Sequence, residues 1–270
     1  MKQPSPVHLH DLSLVERIAY RCGDWCNRKL KTPLTWWNYT MMNILIWLGI
    51  SRRLKVHGLE YLKEFDEDSQ LILVCNHRTF FDFFVVSWIT FNKTPLPRRV
   101  FFPVRSTFFY SSWIGIPFCF FVGGYAMFPP IFREEKKRTF NQYALQRIRQ
   151  ELDSQGSMVG FHPEGKRNKD EDPYTFLPAK KGVGEVIYNT PKAKVIPIYI
   201  QGMSNQILGE IITNWSSSKD HPIHVRFGPA KQYDSFRSQD EHADVHQAIS
   251  ESCMAEIQKL ADLHKQSTSE

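Results

Sequence analysis

From residue 52 onward, short apolar segments alternate with longer segments of helical periodicity, and no other feature constrains the fold as much. Six segments rich in apolar and β-branched residues are predicted strands: 52–57, 70–75, 99–104, 157–161, 194–200 and 222–227. Four segments are predicted helices: 80–91, 134–153, 179–189 and 240–264. This alternation predicts an α/β fold with a mostly parallel central sheet covered by helices.

The N-terminal part of the chain has a different pattern of apolar and charged residues, which predicts a pair of helices ahead of the sheet. Residues 12–30 place apolar residues at helical spacing among arginines and lysines, and residues 34–50 are apolar nearly all round. We interpret them as a helical hairpin that lies in, or dips into, a membrane interface. A buried core helix is an equally open interpretation of 34–50. The predicted domains are 1–50, the hairpin, and 51–265, the α/β domain.

Residues 106–132 resist the α/β scheme, because they carry no charged side chain at all. Length and apolar character alone would make them a transmembrane helix. Three prolines and a Gly-Gly pair interrupt the segment, and both residue types break regular structure. We therefore predict a short helix, a buried strand and a loop, partly facing lipid.

Charge and cysteine content limit the partners and the compartment. The net charge of +6 favours anionic partners such as phospholipid headgroups or acidic carrier proteins. The charge is accompanied by no RNA- or DNA-binding motif, so nucleic acid is not an expected partner. The five cysteines form no Cys-X-X-Cys pair, which favours free thiols in a reducing compartment. The first ten residues lack the pattern of a signal peptide, and we expect a membrane-associated protein on the cytoplasmic side.

The segment NHRTFFD (76–82) lies between a predicted buried strand and a predicted helix. A turn there can bring the His77 ring and the Asp82 carboxylate together. An aspartate that accepts from one imidazole nitrogen leaves the other nitrogen basic, and such a pair can take a proton from an attacking alcohol. Thr79 and Asp82 also fit a helix capping box, and from this segment alone the two interpretations are equally open.

A second segment, FHPEGKRN (161–168), places two cations directly after a turn. Lys166 and Arg167 carry side chains suited to phosphate, and Glu164 could accept from a substrate hydroxyl or hold the turn. Taken alone, the segment is somewhat better interpreted as a solvated basic turn.

A third segment, KVIPIYIQG (194–202), is an apolar predicted strand with Pro197 inside it. Because proline has no N–H to donate to a neighbouring strand, Pro197 predicts an edge strand or a bulge, and a bulged strand can line a channel.

In their order along the chain, these three segments resemble the glycerolipid acyltransferase superfamily, typified by 1-acylglycerol-3-phosphate acyltransferase. NHRTFFD is similar to the family's NHxxxxD block, FHPEGKRN to its FPEGTRS block and VIPIYI to its VIPV block. In the second block His162 is inserted, Lys166 replaces Thr and Asn168 replaces Ser. The resemblance covers roughly residues 34–230, and several blocks in one order are more specific than a single block.

The resemblance implies an O-acyltransferase that moves a fatty acyl group from acyl-CoA or acyl carrier protein to the hydroxyl of a lysophosphatidic acid-like acceptor, giving phosphatidic acid. It implies His77 and Asp82 as the catalytic pair, membrane lipids as partners, and neither a metal nor a cofactor beyond the acyl donor. The implied substrate-binding residues are Glu164, Gly165, Lys166, Arg167, Arg105 and Arg133. The spacing before Arg133 is longer than is usual in the family.

Two other functions stay open beside this one. The same chemistry could act on another lysophospholipid or on an amino-acid lipid. A non-catalytic lipid-binding protein could keep the fold without the chemistry, although the intact pair of His77 and Asp82 argues against it. Cys75 is interpreted as a buried thiol at a strand end, and His162 joins no constellation although it lies inside the second block.

Overall fold

The computed structural model describes residues 9–269 of the chain. The absence of a signal peptide is a prediction about the first ten residues, most of which lie outside this range. Eight strands form two sheets among the described residues: β1 (Leu54–His57), β2 (Gln70–Cys75), β3 (Val100–Phe101), β4 (Val104–Arg105), β5 (Pro130–Ile131), β6 (Ser157–Phe161), β7 (Lys194–Gln201) and β8 (Ile223–Phe227).

The larger sheet has six strands in the order β1-β8-β7-β2-β6-β3, and β4 pairs with β5 in a separate small sheet. Every neighbouring pair in the larger sheet is parallel except β7 and β8, which are antiparallel. The predicted α/β fold with a mostly parallel sheet is therefore confirmed. β2 lies in the interior of the sheet because its residues 71–75 are all apolar. They are fully buried, as in strands covered on both faces.

Pro197 lies in an interior strand, so the prediction of an edge strand is wrong. The predicted bulge is present on the β8 side, because Val195 pairs with Lys231 and Ile198 with Phe227, one residue out of register. β7 runs between β2 and β8, and its pairing with β2 continues one to one through Pro197, which faces Val74. The Pro197 carbonyl accepts from the Gly228 N–H at 2.9 Å, so the proline nitrogen also points to the β8 side. Pairing with β8 begins only at Ile198. The missing donor therefore falls just beyond the end of the neighbouring strand and removes no ladder hydrogen bond.

Helices cover the sheet and precede it. The described α-helices are α1 (Leu14–Lys29), α2 (Lys31–Gly49), α3 (Asp82–Lys93), α4 (Ser106–Phe109), α5 (Gly115–Gly123), α6 (Arg138–Leu152), α7 (Gly182–Tyr188), α8 (Ile207–Ser216), α9 (Asp234–Arg237) and α10 (Ala243–Ser269), with 3₁₀ turns at Leu59–Leu62 and Glu135–Lys137. All predicted helices are present within a few residues of their predicted bounds. α8 was not predicted.

The N-terminal pair α1 and α2 begins with a capping box, in which Ser13 and Glu16 each accept from the backbone N–H of the other. In α2, a stripe at four-residue spacing is buried, and apolar residues elsewhere on the helix are exposed. The interpretation as a core helix is therefore correct for one face of α2, and the interpretation as a membrane-interface helix stays a prediction for the exposed face. No helix within residues 9–269 has the length and apolar character needed to cross a membrane.

Buried ion pairs attach the N-terminal pair to α6. The Arg147 side chain is fully buried and contacts Asp24 of α1 at 3.1 Å and Glu151 at 3.3 Å. Glu151 also pairs with Lys31 of α2 at 2.5 Å. Removing one member would leave an uncompensated buried charge, which is strongly destabilising. The two N-terminal helices are therefore packed onto the α/β domain through charged as well as apolar contacts.

The uncharged segment 106–132 contains two helices, α4 and α5, and the two-residue strand β5. The prediction of one short helix, a buried strand and a loop is therefore only partly correct. α5 ends at Gly124, which has a positive φ of 50° and would bring an added Cβ within 2.7 Å of the Leu34 carbonyl oxygen. A residue with a side chain is strained there, so the Gly-Gly pair marks a real helix end.

Candidate active site

The chain leaves β2 through Asn76, whose side chain completes the pairing with β7. Its Nδ2 donates to the Ile200 carbonyl at 2.9 Å, and its Oδ1 accepts from the Ile200 N–H at 2.8 Å. The side-chain amide thus replaces a backbone partner, and the main chain is free to turn. His77 follows at the carboxyl end of the strand, and its backbone carbonyl accepts from the Asn168 N–H at 2.7 Å.

Asp82 is the first residue of α3, and it is fully buried. Its Oδ2 accepts from His77 Nδ1 at 3.0 Å and from the Arg78 N–H at 2.9 Å. The Thr79 hydroxyl donates to Oδ1 at 2.6 Å, and the Thr79 N–H contacts both oxygens. The turn between strand and helix therefore brings His77 and Asp82 into contact, with the carboxylate held by four donor groups.

The capping box expected for Thr79 and Asp82 is present only in part. The carboxylate accepts from the Thr79 N–H, as in such a box, but α3 begins at Asp82 rather than after Thr79. The Thr79 hydroxyl accepts from the Phe81 N–H at 3.2 Å, not from the N–H of Asp82. Asp82 thus closes the loop and holds the His77 ring at the same time, so the two interpretations are not exclusive.

The electrostatics of the pair determine the tautomer of His77. Burial alone would raise the pKa of Asp82, but the hydrogen bond and charge of His77 outweigh it and lower that pKa below its usual value. An ionised carboxylate only accepts, so His77 Nδ1 carries the proton and Nε2 is the basic nitrogen. Nε2 has no hydrogen-bonding partner within residues 9–269, and the His77 side chain is 20% exposed. The pair can therefore accept a proton from a substrate.

His162 stacks on His77, and sequence reasoning placed it in no constellation. The two ring centroids are 3.8 Å apart, with an angle of 8° between the ring planes. His162 Nδ1 donates to the Cys75 carbonyl at 2.9 Å, and the ring packs against Phe83 at 4.4 Å. One face of the His77 imidazole is thus covered by a second imidazole. Its place in the second block, beside Glu164, was the available signal.

Burial, followed by the neighbouring His77 ring, lowers the pKa of His162 to about 3. The half-buried His162 ring is therefore neutral at physiological pH, and its Nδ1–H is committed to a carbonyl. A neutral neighbour adds no positive charge beside the base. His162 thus acts on His77 through contact and exclusion of water, not through charge.

Glu164 is fully buried and supports the His77 backbone. One carboxylate oxygen accepts from the His77 N–H at 3.0 Å, and the other accepts from the Leu177 N–H at 3.4 Å. Burial raises the pKa of Glu164, and the two backbone hydrogen bonds oppose that rise. The next residue, Gly165, has a φ of 66° and completes the turn. The Glu164 carboxylate therefore holds the loop that carries His77 through its backbone.

The two cations of the second block are exposed, and one of them is held in place. Arg167 donates to Asn205 Oδ1 at 2.9 Å, and the same oxygen accepts from the Phe80 N–H at 2.9 Å. Arg167 is thereby attached to the loop that carries His77, whereas Lys166 makes no ion pair with any described residue. Asn205 was missed by sequence reasoning, because it lies in a loop far from both blocks.

Arg105 and Arg133 belong to the small sheet. Arg105 ends β4 and faces Ile131 of β5, and Arg133 follows two residues later at the same end of that sheet. Both side chains are exposed, and neither makes an ion pair within the described part of the chain. The structure therefore groups the four predicted cations in two pairs, 105 with 133 and 166 with 167.

Aromatic residues connect the His77 loop to the uncharged segment 106–132. Phe80, from the His77 loop, stacks on Phe109 of α4 at 5.5 Å, and Phe118 of α5 lies 5.8 Å from Phe109. An apolar wall thus begins three residues after His77 and continues into the uncharged segment. Such a wall suits a hydrocarbon chain.

His77, Asp82 and His162 offer ligand atoms that all lie within 4.8 Å of one another, a distance compatible with a metal ion. An imidazole nitrogen binds a metal along its lone pair, which lies in the plane of the ring. The two rings are nearly parallel, so a single ion cannot lie in both planes. Both Asp82 oxygens also already accept hydrogen bonds. The arrangement therefore suits proton transfer better than metal binding.

Comparison with known proteins shows which family the chain resembles and over which residues. A model of the family described as Acyltransferase matches residues 53–201, which include the His77 loop, the Glu164 block and all of β7. No curated protein matches the chain. Among solved structures, the chain is similar to the 1-acyl-sn-glycerophosphate (LPA) acyltransferase PlsC from Thermotoga maritima. The sequence identity is 14% and the TM-score 0.45, over 91% of this chain and 81% of that chain.

Proposed function

Because the chain belongs to the acyltransferase family, we propose that it is an O-acyltransferase acting on a glycerolipid. The acyl group would come from acyl-CoA or acyl carrier protein. The acceptor would be the free hydroxyl of a lysophosphatidic acid-like lipid, and the product phosphatidic acid. The observation that carries the proposal is the 3.0 Å contact between His77 Nδ1 and Asp82, which leaves Nε2 basic and open to a substrate.

In the proposed reaction, His77 Nε2 takes the hydroxyl proton while the acceptor oxygen attacks the thioester carbonyl carbon. Asp82 stabilises the imidazolium that forms. The tetrahedral intermediate collapses with cleavage of the C–S bond, and the imidazolium returns its proton to the departing thiolate. The products are an ester and a free thiol, and no acyl-enzyme is required.

The oxyanion of that intermediate needs hydrogen-bond donors. The backbone amides of Arg78, Thr79 and Phe80 are already bonded to Asp82 or Asn205, so they do not serve this purpose. In the turn after Glu164, the Gly165 and Asn168 N–H groups already donate to the His162 and His77 carbonyls, whereas the N–H groups of Lys166 and Arg167 have no partner among the described residues. We assign the oxyanion to that turn.

An anionic acceptor is supported by the charges around the base. Arg167 is oriented by Asn205, and Lys166 is exposed beside it. Guanidinium groups suit bidentate phosphate contacts, and an ammonium adds a point charge. We assign the acceptor phosphate to this pair, with Arg105 and Arg133 as a second pair. Glu164 and Gly165 shape the turn and do not touch the acceptor in this assignment.

A lipid acceptor requires access from a membrane, and the outward face of α2 offers an apolar surface for it. Trp36, Ile44 and Trp47 are all exposed on that helix. Indoles and aliphatic side chains on one face are typical of helices that lie in the interface of a bilayer. We therefore propose peripheral association with the cytoplasmic side of a membrane, with α2 in contact with lipid.

The test is acyl transfer from labelled acyl-CoA by the purified protein and its His77→Ala variant. We expect the variant to lose activity by about 10³-fold or more while the fold, followed by circular dichroism, is unchanged. His224→Ala is the matched control, because His224 packs against His57 and His264 and not against the site. Full activity in His77→Ala would contradict the proposal.

A screen of acceptors then tests the substrate class. Lysophosphatidate, several lysophospholipids and amino-acid lipids are offered to the same enzyme with one acyl donor. The proposal predicts the highest kcat/KM for lysophosphatidate. A higher value for a zwitterionic or cationic acceptor would overturn the assignment of the phosphate but leave the catalytic pair intact.

A further inference from the structure

Helix α8 has its polarity inverted relative to an ordinary surface helix. Its polar residues Glu210 and Asn214 are buried, whereas Leu208 and Ile212 are 75% and 65% exposed. Trp215, seven residues after Leu208, lies on the same outward side and is 43% exposed. A surface helix in water normally shows the opposite arrangement. The exposed stripe on α8, formed by Leu208, Ile212 and Trp215, therefore favours contact with an apolar environment.

Hydrogen bonds prevent the helix from rolling over to bury this stripe. The Glu210 carboxylate pairs with the buried Arg53 guanidinium at 2.6 Å and accepts from the Ser204 N–H at 2.8 Å. The Asn214 side chain donates to the Trp47 and Leu48 carbonyls, which lie at the C-terminal end of α2. Rotation of α8 that buried Leu208 and Ile212 would bring Glu210 and Asn214 to the surface and break these bonds. The outward orientation is thus built into the fold.

The stripe on α8 continues onto α2. The Trp215 ring lies 5.2 Å from the Trp47 ring, edge to face, and its indole N–H donates to the Leu48 carbonyl at 2.9 Å. Trp36 and Ile44, which are exposed on the same side of α2 as Trp47, extend the apolar surface along that helix. We call Trp36, Ile44 and Trp47 of α2, together with Leu208, Ile212 and Trp215 of α8, the outer face. Because the Trp215 N–H is satisfied within the protein, the part of this ring that is exposed is hydrocarbon.

Cations border the outer face where it meets the rest of the molecule. The Arg52 guanidinium lies 4.5 Å from the Trp215 ring centroid, and the Arg98 guanidinium lies 5.3 Å from the Trp36 ring centroid. Aliphatic side chains at the centre, indoles beside them and guanidinium groups at the border match the layers of a bilayer surface. The cations complement anionic headgroups. A protein partner would not need this layered order.

We propose that α8 docks on a lipid bilayer with anionic headgroups, as a second contact beside the N-terminal helices, and that Leu208 and Ile212 enter its acyl region. This inference rests on the proposed membrane association but not on the proposed acyl transfer. α8 begins just after Asn205, which bonds to Phe80 and Arg167. Docking through α8 would therefore bring the proposed phosphate-binding side of the site to the lipid surface.

The test is flotation of the full-length protein with vesicles of phosphatidylcholine, with and without one-third phosphatidylglycerol. We expect stronger binding to the anionic vesicles. The double variant Leu208→Glu and Ile212→Glu should bind them at least about tenfold more weakly, because two apolar side chains are lost from the bilayer and two negative charges are gained. Leu263→Glu on α10 is the matched control, since Leu263 is also exposed, at 51%, but lies outside the outer face.

Other variants separate this inference from the proposed function. His77→Ala should bind vesicles as the parent protein does, because it changes only the chemistry. Trp36→Glu with Ile44→Glu tests the α2 part of the outer face alone. Loss of binding in the α2 variant, with full binding in the α8 variant, would overturn the role of α8 and leave membrane association standing.

A second copy of the chain is the rival occupant of the outer face. Sedimentation of the parent protein and the α8 variant without lipid distinguishes it. A dimer that the α8 variant abolishes, with vesicle binding unchanged, would overturn the inference. We expect the same sedimentation for both proteins.

Discussion

The loop that carries His77 and the small sheet that carries Arg105 and Arg133 differ in how much of their polar chemistry is used within the protein. In the loop, the Asp82 carboxylate accepts from three other residues, and the backbone of His77 is held at both its N–H and its carbonyl. In the small sheet, the two guanidinium groups are exposed and make no ion pair within residues 9–269.

This difference separates two properties of an enzyme. The proposed proton acceptor is held by contacts that exist before any substrate arrives, which is the preorganisation that catalysis requires. Exposed cations become ordered only when an anion binds, so they carry little information about its identity. Arg167 lies between the two extremes, because Asn205 orients it while its charge stays exposed.

The largest effect is expected from breaking the loop at its centre. Asp82→Asn keeps the shape of the side chain but replaces one acceptor oxygen by an N–H₂ group, which faces backbone and hydroxyl donors. The ring of His77 then loses the partner that fixes its tautomer, and we expect kcat to fall by about 10³-fold or more. Steady-state kinetics measures the fall. A fall below tenfold would mean that the loop holds His77 without Asp82.

A smaller effect is expected from the ring that covers His77. His162→Ala removes the stacked face, and we expect kcat to fall about tenfold with little change in KM, because the base is less well positioned. His162→Phe keeps an aromatic ring and should lose about threefold or less. His224→Ala is the control for loss of a packed imidazole elsewhere. Equal losses in His162→Ala and His162→Phe would assign the effect to the hydrogen bond with Cys75 and not to the stack.

The same residue links stability to pH. In the unfolded chain His162 binds a proton near its usual pKa of 6.5, whereas in the folded protein burial, followed by His77, lowers that pKa to about 3. As the pH falls from 6.5 towards 3, the unfolded state takes up the proton first, so folding stability is lost in that window. Between pH 7 and 5 the loss from His162 is at most about 2 kcal/mol. Urea unfolding of His162→Phe should show a shallower acid dependence than the parent protein.

Effects no larger than that of His162→Ala are expected from the cations, on KM rather than on kcat, and they should differ between the two regions. Arg167→Ala removes an oriented guanidinium, and we expect the KM for the acceptor to rise about tenfold. Arg133→Ala removes an unattached one, and the rise should be about threefold or less. Acceptor kinetics at fixed acyl donor gives both values. A larger effect at Arg133 would move the phosphate to the small sheet and reverse the comparison.

The fold was predictable because its signals are local. Residues 71–75 are apolar without interruption, and this run is the mark of a strand buried on both faces. α8 was not predictable in the same way. Its apolar residues at 208, 212 and 215 have helical spacing, but between Gly202 and the turn before β8 no strand alternation or cap singled the segment out. Its outward orientation depends on Glu210 and Asn214 finding partners distant in sequence.

The residues of the candidate site also divide into those predictable from local sequence and those that depend on distant contacts. His77 and Asp82 are five residues apart, so a local turn was enough to predict their contact. His162 and Asn205 reach the site from other strands, and their contacts with His77 and Phe80 depend on the pairing of β2 with β6 and β7. The edge position predicted for Pro197 was wrong for a related reason, because a missing donor is harmless wherever the neighbouring strand has ended.

The hydrogen bonds of Asn205 join the loop before α8 to both Phe80 and Arg167. If α8 rests on lipid, an acceptor reaches Arg167 by lateral diffusion within the lipid layer and not through the surrounding water. Its effective concentration is then its mole fraction in that layer. Turnover would follow surface dilution by inert lipid, even where the bulk concentration of acceptor is constant.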